Sequence, residues 1–131
     1  MEYTGQMDDA LVVLIAARFR LLGEPVRLKL LAALGDEERS VGELVALTHS
    51  SQPNISKHLA ALAQGGVVRR RKVGVTTLYA LADPTISALC DTVCAGLQRR
   101  LAEQARVLDD RQLLASHASR TPNAQSERAI P

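Results

Sequence analysis

Apolar residues recur every three to four positions along most of the chain, the spacing of helices that bury one face. This period runs through a first segment that ends near Gly23, a second from Pro25 to Gly35, and a last one from Pro84 to about Leu114. Proline is tolerated in a first helical turn and glycine is favoured just past a helix end, so these residues agree with the period. The pattern predicts helices at both ends of the chain, with shorter ones between them.

Two helix-start signals follow closely in the middle of the chain. Ser40 and Glu43 form a capping box, in which each side chain can satisfy a backbone N–H at the start of a helix. That helix ends near Leu47, and Ser51 can cap a further helix that ends at Gly65. The inward face of the further helix is apolar, with Ile55, Leu59 and Leu62 at helical spacing. Two such helices joined by a tight turn predict a helix-turn-helix unit.

The hydrophobic period then changes from that of a helix to that of a strand. The segments Val67–Val73 and Thr76–Leu81 flank a glycine turn, which predicts a β-hairpin. This order of elements is that of a winged helix-turn-helix, so the predicted fold class is mainly α with a small β-hairpin wing. We expect residues 1–114 to form one DNA-binding and dimerisation domain. The polar, aperiodic residues 115–131 predict a disordered C-terminal tail.

Positive charge is concentrated in one part of a 131-residue chain whose net charge is only +2. No acidic residue occurs between Glu43 and Asp83. The same span carries the basic residues Lys57, Arg69, Arg70, Arg71 and Lys72. A basic segment inside a nearly neutral protein indicates a phosphate-binding face. Composition alone leaves the alternative of a solvated basic surface open.

The outward face of the helix capped by Ser51 carries polar side chains near its N-terminus. These candidate DNA contacts are Gln52, Asn54, Ser56, Lys57 and His58. Their donors and acceptors suit base edges in a major groove, and a helix N-terminus favours phosphate. We therefore expect this helix to be the recognition helix.

The predicted hairpin supplies a second set of candidate DNA contacts, Arg70, Arg71 and Lys72. By strand alternation, Arg70 and Lys72 lie on one face of the hairpin, and Arg69 and Arg71 lie on the other. A basic hairpin beside a recognition helix can reach neighbouring phosphates or the minor groove. The same charges would also protect an edge strand from aggregation, an alternative that involves no DNA.

Four sequence segments carry a family resemblance: LGEPVRLKLLAAL (Leu22–Leu34), SVGELVAL (Ser40–Leu47), SQPNISKHLAALAQGGVV (Ser51–Val68) and RKVGVTTLYAL (Arg71–Leu81). In this order and at this spacing they resemble the bacterial metalloregulators of the ArsR/SmtB type. The resemblance implies a winged-helix dimer, joined through its first and last helices, that represses an operon from a palindromic operator. It implies DNA contact for Gln52, Ser56, Lys57, His58 and the wing around Arg71 and Lys72. Val75 departs from the pattern, because many relatives carry a basic residue after the wing glycine.

Neither metal site that recurs in this family has its ligands in this chain. Where relatives place two cysteines on the third helix, this sequence has Val45 and Leu47. Relatives place a second metal site along the last helix. Counted from Asp83, its other ligand positions hold residues that do not bind a metal there: Thr85, Gly96 and Arg99. We therefore expect no metal site of either kind and no cofactor.

Cys90 and Cys94 are spaced i,i+4 and so share one face of the last predicted helix. Three roles are open for them. The first role is that of small buried apolar residues. The second is that of thiol sensors for oxidants, reactive sulfur or electrophiles. The third is that of ligands for a soft metal shared across a dimer. A disulfide within one helix would be strained, so chemistry between subunits is favoured over chemistry within one.

The sequence lacks the parts of an enzyme and of an exported protein. It has no glycine-rich phosphate loop, no nucleophile beside a base and no paired-carboxylate site. Its N-terminus is acidic where a signal peptide needs positive charge, and its longest apolar run, Leu11–Ala17, is too short to cross a bilayer. Two cysteines do not form a disulfide framework, which indicates the reducing cytoplasm.

These observations together predict a transcriptional regulator rather than an enzyme. We expect a homodimeric repressor that binds a double-stranded DNA operator and has no membrane partner. An unidentified signal, a small inducer or an oxidant, would release it from the operator. The alternative is a winged helix that serves protein–protein contact without specific DNA binding. Steep weakening of binding with salt would distinguish DNA binding from that alternative.

Overall fold

The computed structural model describes residues 8–120 of the chain. Within that range it contains five α-helices and three β-strands: α1 (Asp9–Leu22), α2 (Pro25–Leu34), β1 (Arg39–Ser40), α3 (Val41–Thr48), α4 (Gln52–Gln64), β2 (Val68–Val73), β3 (Thr76–Leu81) and α5 (Pro84–Arg120). The chain divides into two compact units, one up to Ala88 and one from Leu89 onward. The first unit holds α1–α4 and the sheet, and the second consists of the greater part of α5.

The three strands form one antiparallel sheet in the order β1-β3-β2. Strands β2 and β3 pair in register from Val68 opposite Leu81 to Val73 opposite Thr76, which confirms the predicted hairpin. Gly74 has a φ of 62°, a left-handed value that the first position of a two-residue hairpin turn favours and that glycine adopts without strain. Strand β1 was not predicted from the sequence, because two residues are too few to show an alternating pattern.

The core of the first unit is aliphatic, as expected from a chain with only 2% aromatic residues. Its fully buried larger side chains come from α2, α3, α4 and the start of the hairpin: Leu30, Leu34, Leu44, Ile55, Leu59, Leu62 and Val67. The predicted inward face of α4 is therefore confirmed. Because α4 presents this face to α2 and α3, its opposite face is left for solvent or a ligand.

The helix termini follow the signals in the sequence. Ser40 Oγ accepts a hydrogen bond from the backbone N–H of Glu43 at 3.2 Å, and Glu43 Oε1 accepts one from the Ser40 N–H at 3.4 Å. The capping box is thereby confirmed. Ser51 caps α4 by accepting a hydrogen bond from the Asn54 N–H at 3.4 Å.

The last helix is longer than the sequence pattern predicted. It continues past Leu114 to Arg120, so the prediction of disorder is wrong for residues 115–120. No glycine or proline interrupts this stretch, and the first residue that opposes a helix is Pro122. The rest of the predicted tail, residues 121–131, lies outside the described residues.

Large exposed apolar side chains are concentrated on two helices. On α1 they are Val12, Val13, Leu14 and Phe19; on α5 they are Val93, Leu97, Leu101, Val107, Leu108, Leu113 and Leu114. Surface helices usually keep such residues on the side that packs against protein. Despite these residues, no helix between residues 8 and 120 is apolar over a length that could cross a membrane.

Candidate nucleic-acid interface

The turn between α3 and α4 is held by backbone geometry. His49 ends α3 in the left-handed conformation, with a φ of 56°, and its N–H donates to the Val45 carbonyl at 2.9 Å. Two residues later Ser51 adopts an extended conformation and caps α4. The chain therefore passes from one helix to the next within three residues. This short turn places the N-terminus of α4 next to the end of α3, as in a helix-turn-helix.

The predicted contact residues at the start of α4 mostly lie where the sequence placed them. Gln52, Ser56 and Lys57 are exposed, and Asn54 is half-buried. They occupy the first two turns of the helix, whose N-terminal end carries a partial positive charge. An amide, a hydroxyl and an ammonium group are thus presented together, which suits both base edges and phosphate oxygens.

The expected position of His58 on this outward face is wrong. Its side chain is only 6% exposed and lies on the inner side of α4, where Ile55 and Leu59 are also buried. The spacing explains the error, because residues three positions apart on a helix share a face, and His58 follows Ile55 by three. The polarity of histidine suggests the outer face, but the spacing from Ile55 sets the inner one. The structure therefore leaves His58 out of the surface available to DNA.

His58 takes part in a hydrogen-bond network instead. Arg27 of α2 donates from Nε to Nδ1 of His58 at 3.1 Å, and from a terminal guanidinium nitrogen to the Leu21 carbonyl at 3.0 Å. Burial lowers the pKa of His58 below its ordinary value of 6.5, and the nearby cations Arg27 and Lys57 lower it further. The imidazole is therefore held neutral at physiological pH, and one guanidinium connects the ends of α1 and α2 to α4.

The C-terminal end of α4 is also fastened to α1. Arg18 donates a hydrogen bond to the Gly65 carbonyl at 2.7 Å. Leu21 packs so closely against Gly65 that any Cβ at this position would collide with the end of the leucine side chain. Glycine thus permits the close approach of α1 to the end of α4, and the helix is fixed at two points along its length.

The two faces of the wing differ in how their basic side chains are engaged. On one face, Arg69 donates to the Leu81 carbonyl at 2.8 Å, and Arg71 forms two hydrogen bonds to the Glu38 carboxylate at 3.0 and 2.9 Å. Arg70 and Lys72 alternate to the other face and are exposed. The Arg71 guanidinium lowers the pKa of Glu38, which stays ionised, and Glu38 raises the pKa of Arg71.

The sequence alone does not reveal the Glu38–Arg71 pair. Glu38 lies outside the acid-free span and 33 positions from its partner, so no local pattern connects them. Pairing of β1 with β3 brings the loop that holds Glu38 beside the wing. To bind Arg71, a DNA phosphate must therefore compete with the Glu38 carboxylate.

We expect the substitution Glu38→Gln to strengthen DNA binding by about 1.4- to fivefold for each copy of the chain bound, since an exposed ion pair contributes only about 0.2–1 kcal/mol. Arg71 would be released and one negative charge near the DNA removed. Fluorescence anisotropy with a labelled duplex at several salt concentrations measures this. Glu37→Gln is the matched control, because Glu37 pairs with Arg39 rather than with the wing. Equal effects of the two variants would contradict a specific role for the Glu38 pair.

The two thiols of α5 are free and differ in access. Cys90 is partly buried and Cys94 is exposed, one helical turn apart. Neither is therefore a fully buried apolar side chain within this chain. Among residues 8–120, no group of three or more histidine, cysteine, aspartate or glutamate side chains is placed to hold a metal ion. Any shared metal ligation would have to involve a second copy of the chain.

Comparison with known proteins points to one family. Residues 24–70 match the family model described as bacterial regulatory protein, arsR family. The uncharacterised HTH-type transcriptional regulator Rv0081 of Mycobacterium tuberculosis is 34% identical over 104 residues, which cover 79% of this chain and 91% of that protein. The transcriptional repressor SmtB of the same species is 42% identical over 64 residues, which cover 49% of this chain and 47% of that protein.

Solved structures give the same picture. The crystal structure of Rv0081 superposes with a TM-score of 0.68 at 32% identity, covering 75% of this chain and 99% of that one. The homodimeric winged helix-turn-helix DNA-binding domain of Mb0332 from Mycobacterium bovis gives a TM-score of 0.65 at 29% identity, covering 75% and 93%. The fold is thus shared over about three quarters of this chain.

Proposed function

Because this chain belongs to the arsR family of bacterial regulatory proteins and is thus a winged helix-turn-helix transcriptional regulator, we propose that it acts as a homodimeric repressor on a palindromic DNA operator. The observation that supports this most is the exposed polar start of α4 beside a basic wing. Repression follows if the bound dimer covers promoter DNA. Because a repressor must reach cellular DNA, we propose that the protein acts in the cytoplasm.

Each part of the interface has a distinct task in this proposal. Gln52, Asn54 and Ser56 read base edges in the major groove, and Lys57 neutralises a phosphate beside the helix N-terminus. Arg70 and Lys72 bind phosphates flanking that groove. Arg71 also binds a phosphate when its ion pair with Glu38 is broken. The α4 residues therefore set sequence preference, and the wing contributes affinity for any duplex.

The homodimer is supported by the exposed apolar side chains of α1 and of α5. A second copy of this chain would remove these side chains from water. The related Mb0332 domain is homodimeric. Two-fold symmetry would place two recognition helices about one DNA turn apart, which matches a palindromic operator.

The test begins with selection of duplexes from a randomised library by the reduced, full-length protein. A selected duplex should bind about 10³-fold or more tightly than a scrambled duplex of equal composition at physiological salt. Footprinting should show two protected half-sites about one helical turn apart. Failure to enrich any sequence, with weak and equal binding to all duplexes, would favour the protein–protein interaction module instead. A single protected half-site would contradict the dimer on DNA.

A thiol signal through Cys90 and Cys94 is the regulation we propose for this repressor. The exposure of Cys94 and the one-turn spacing to Cys90 support it. We expect hydrogen peroxide to weaken binding of the wild-type protein to the selected duplex, with recovery on addition of dithiothreitol. The double variant Cys90→Ser, Cys94→Ser should keep its affinity under the same treatment. A double variant that still lost affinity reversibly would exclude the thiols as the sensor.

A further inference from the structure

We propose that Arg27 and His58 form a positioning pair that fixes the recognition helix in its DNA-binding orientation, and that protonation of His58 releases this pair. Specific DNA affinity should consequently fall on acidification. The proposal rests on the DNA-binding function proposed above and adds two residues that touch no DNA. It assigns a role to the one histidine of α4, which the described structure buries in the protein.

The geometry explains why the pair controls orientation. His58 lies in the second turn of α4, between the polar residues Ser56 and Lys57 and the apolar core residue Leu59. Arg27 holds the imidazole from α2 and, with its other arm, the Leu21 carbonyl at the end of α1. The outward side chains of this turn are therefore oriented by a contact on its inward side. A rotation of α4 that breaks this contact would also shift the base-reading groups together.

The hydrogen bond requires one protonation state. Arg27 Nε is a donor only, so Nδ1 of His58 must offer its lone pair and the imidazole proton must reside on Nε2. When Nδ1 takes up a proton it becomes a donor as well. The pair then consists of two donors and two positive charges with nitrogens 3.1 Å apart, and the contact turns from attractive to repulsive.

The surrounding charges mostly favour the neutral imidazole. Burial lowers the pKa of His58 most, Arg27 from α2 and Lys57 from α4 lower it further, and Glu24 at the start of α2 raises it. The folded-state pKa lies below that of the unfolded chain. The stabilisation that the neutral imidazole gives to the folded protein is therefore complete above about pH 6.5. It is lost as the pH falls through the folded-state pKa.

The sign of the pH effect separates this role from direct DNA contact. A histidine that touched phosphate would gain a proton on binding, and affinity would rise on acidification. A histidine that must be neutral has to lose its proton before the helix is correctly placed, so affinity falls. Below the folded-state pKa the loss reaches up to about tenfold per pH unit for each protomer, and so up to about a hundredfold for the dimer, because each protomer releases one proton.

The experiment measures affinities of the full-length protein for the selected and scrambled duplexes at about pH 7.5, 6.5, 5.5 and 5.0, at constant ionic strength. Circular dichroism confirms that the protein stays folded at each pH. We expect wild-type affinity for the selected duplex to fall about threefold or more, relative to the scrambled duplex, from about pH 7.5 to 5.0. A flat ratio, or one that rises at low pH, would overturn the proposal.

Two variants test whether Nδ1 of His58, the acceptor atom, causes the fall in affinity. In His58→Asn the amide oxygen takes nearly the place of Nδ1 and accepts from Arg27 without titrating, so affinity at about pH 7.5 should be largely retained and the fall abolished. In His49→Asn, a control at an exposed position that asparagine tolerates, the fall should persist. A His58→Asn protein that kept the wild-type pH profile would contradict the role of His58.

A measurement on the wild-type protein keeps the test independent of variant folding. The imidazole ¹⁵N shifts of His58 should show an unprotonated Nδ1 and a protonated Nε2 at about pH 7.5. Their titration midpoint should coincide with the fall in affinity. The opposite tautomer or a separate midpoint would overturn the proposal, whereas failure to select any duplex would refute the DNA-binding function and leave the tautomer result standing.

Discussion

Replacing Arg70 and Lys72 together by alanine is expected to weaken binding to any DNA duplex by about 10²- to 10³-fold at about 0.15 M salt. The reason is counterion release: each lost phosphate contact removes about 0.9 from the slope of log affinity against log salt, or about fivefold in affinity at this salt. Two contacts in each of two protomers multiply to the stated range. Both side chains are exposed on the wing face opposite the Glu38–Arg71 pair, so they are available for phosphate.

The measurement is a salt titration of selected and scrambled duplexes. The slope of the double variant should be shallower by about 3 to 4, with the ratio of the two affinities nearly unchanged. Arg106→Ala with Arg111→Ala is the matched control, because it removes the same charge from α5, outside the winged-helix unit. A loss confined to the selected duplex would show instead that the wing reads sequence.

Replacing Leu59 by alanine is expected to lower the free energy of unfolding by about 2–5 kcal/mol, because three carbon atoms leave a fully buried position without being replaced. Leu59 follows His58 on the inner face of α4, so the cavity would also loosen the recognition helix. A domain of this size has only about 5–15 kcal/mol of stability in total. We therefore expect a strongly reduced melting temperature and loss of DNA binding near physiological temperature.

Urea denaturation followed by circular dichroism, at a fixed protein concentration, gives the change in the free energy of unfolding. Leu47→Ala is the control, since Leu47 lies on α3 with 51% of its surface exposed and leaves no cavity. The two variants remove the same atoms, and only burial differs between them. Similar destabilisation by both would mean that α4 is not packed as the structure shows.

Local sequence signals were sufficient for most of the fold. Capping residues such as Ser40 and Ser51 act on backbone groups within three positions, and the hairpin depends on alternation around Gly74. These interactions are short in sequence, so a single sequence reveals them. Strand β1 and the extension of α5 were missed for different reasons. Strand β1 exists only through its pairing with β3, and α5 continues because nothing in the sequence ends it before Pro122.

The candidate interface was only partly accessible from the sequence. Polar residues at the start of α4 and the basic residues of the wing could be chosen by type and position, and Gln52, Ser56, Lys57, Arg70 and Lys72 are exposed. Residue type misassigned His58, although its spacing of three from Ile55 places it on the inner face of α4. Its hydrogen-bond partner could not be found from the sequence, because Arg27 Nε lies 3.1 Å from Nδ1 but 31 positions away along the chain.

The sequence by itself determined the order of the helices, their capping, the hairpin and the basic, acid-free segment that indicates a phosphate-binding face. These features arise from interactions between near neighbours and from composition, which a linear pattern records. Only the tertiary structure decided which polar groups are free for DNA. It buries His58 against Arg27 and binds Arg71 to Glu38, because packing α2 against α4 and β1 against β3 brings together groups about thirty positions apart. Burial and ion pairing depend on such distant neighbours, and these determine which charges and donors remain at the surface.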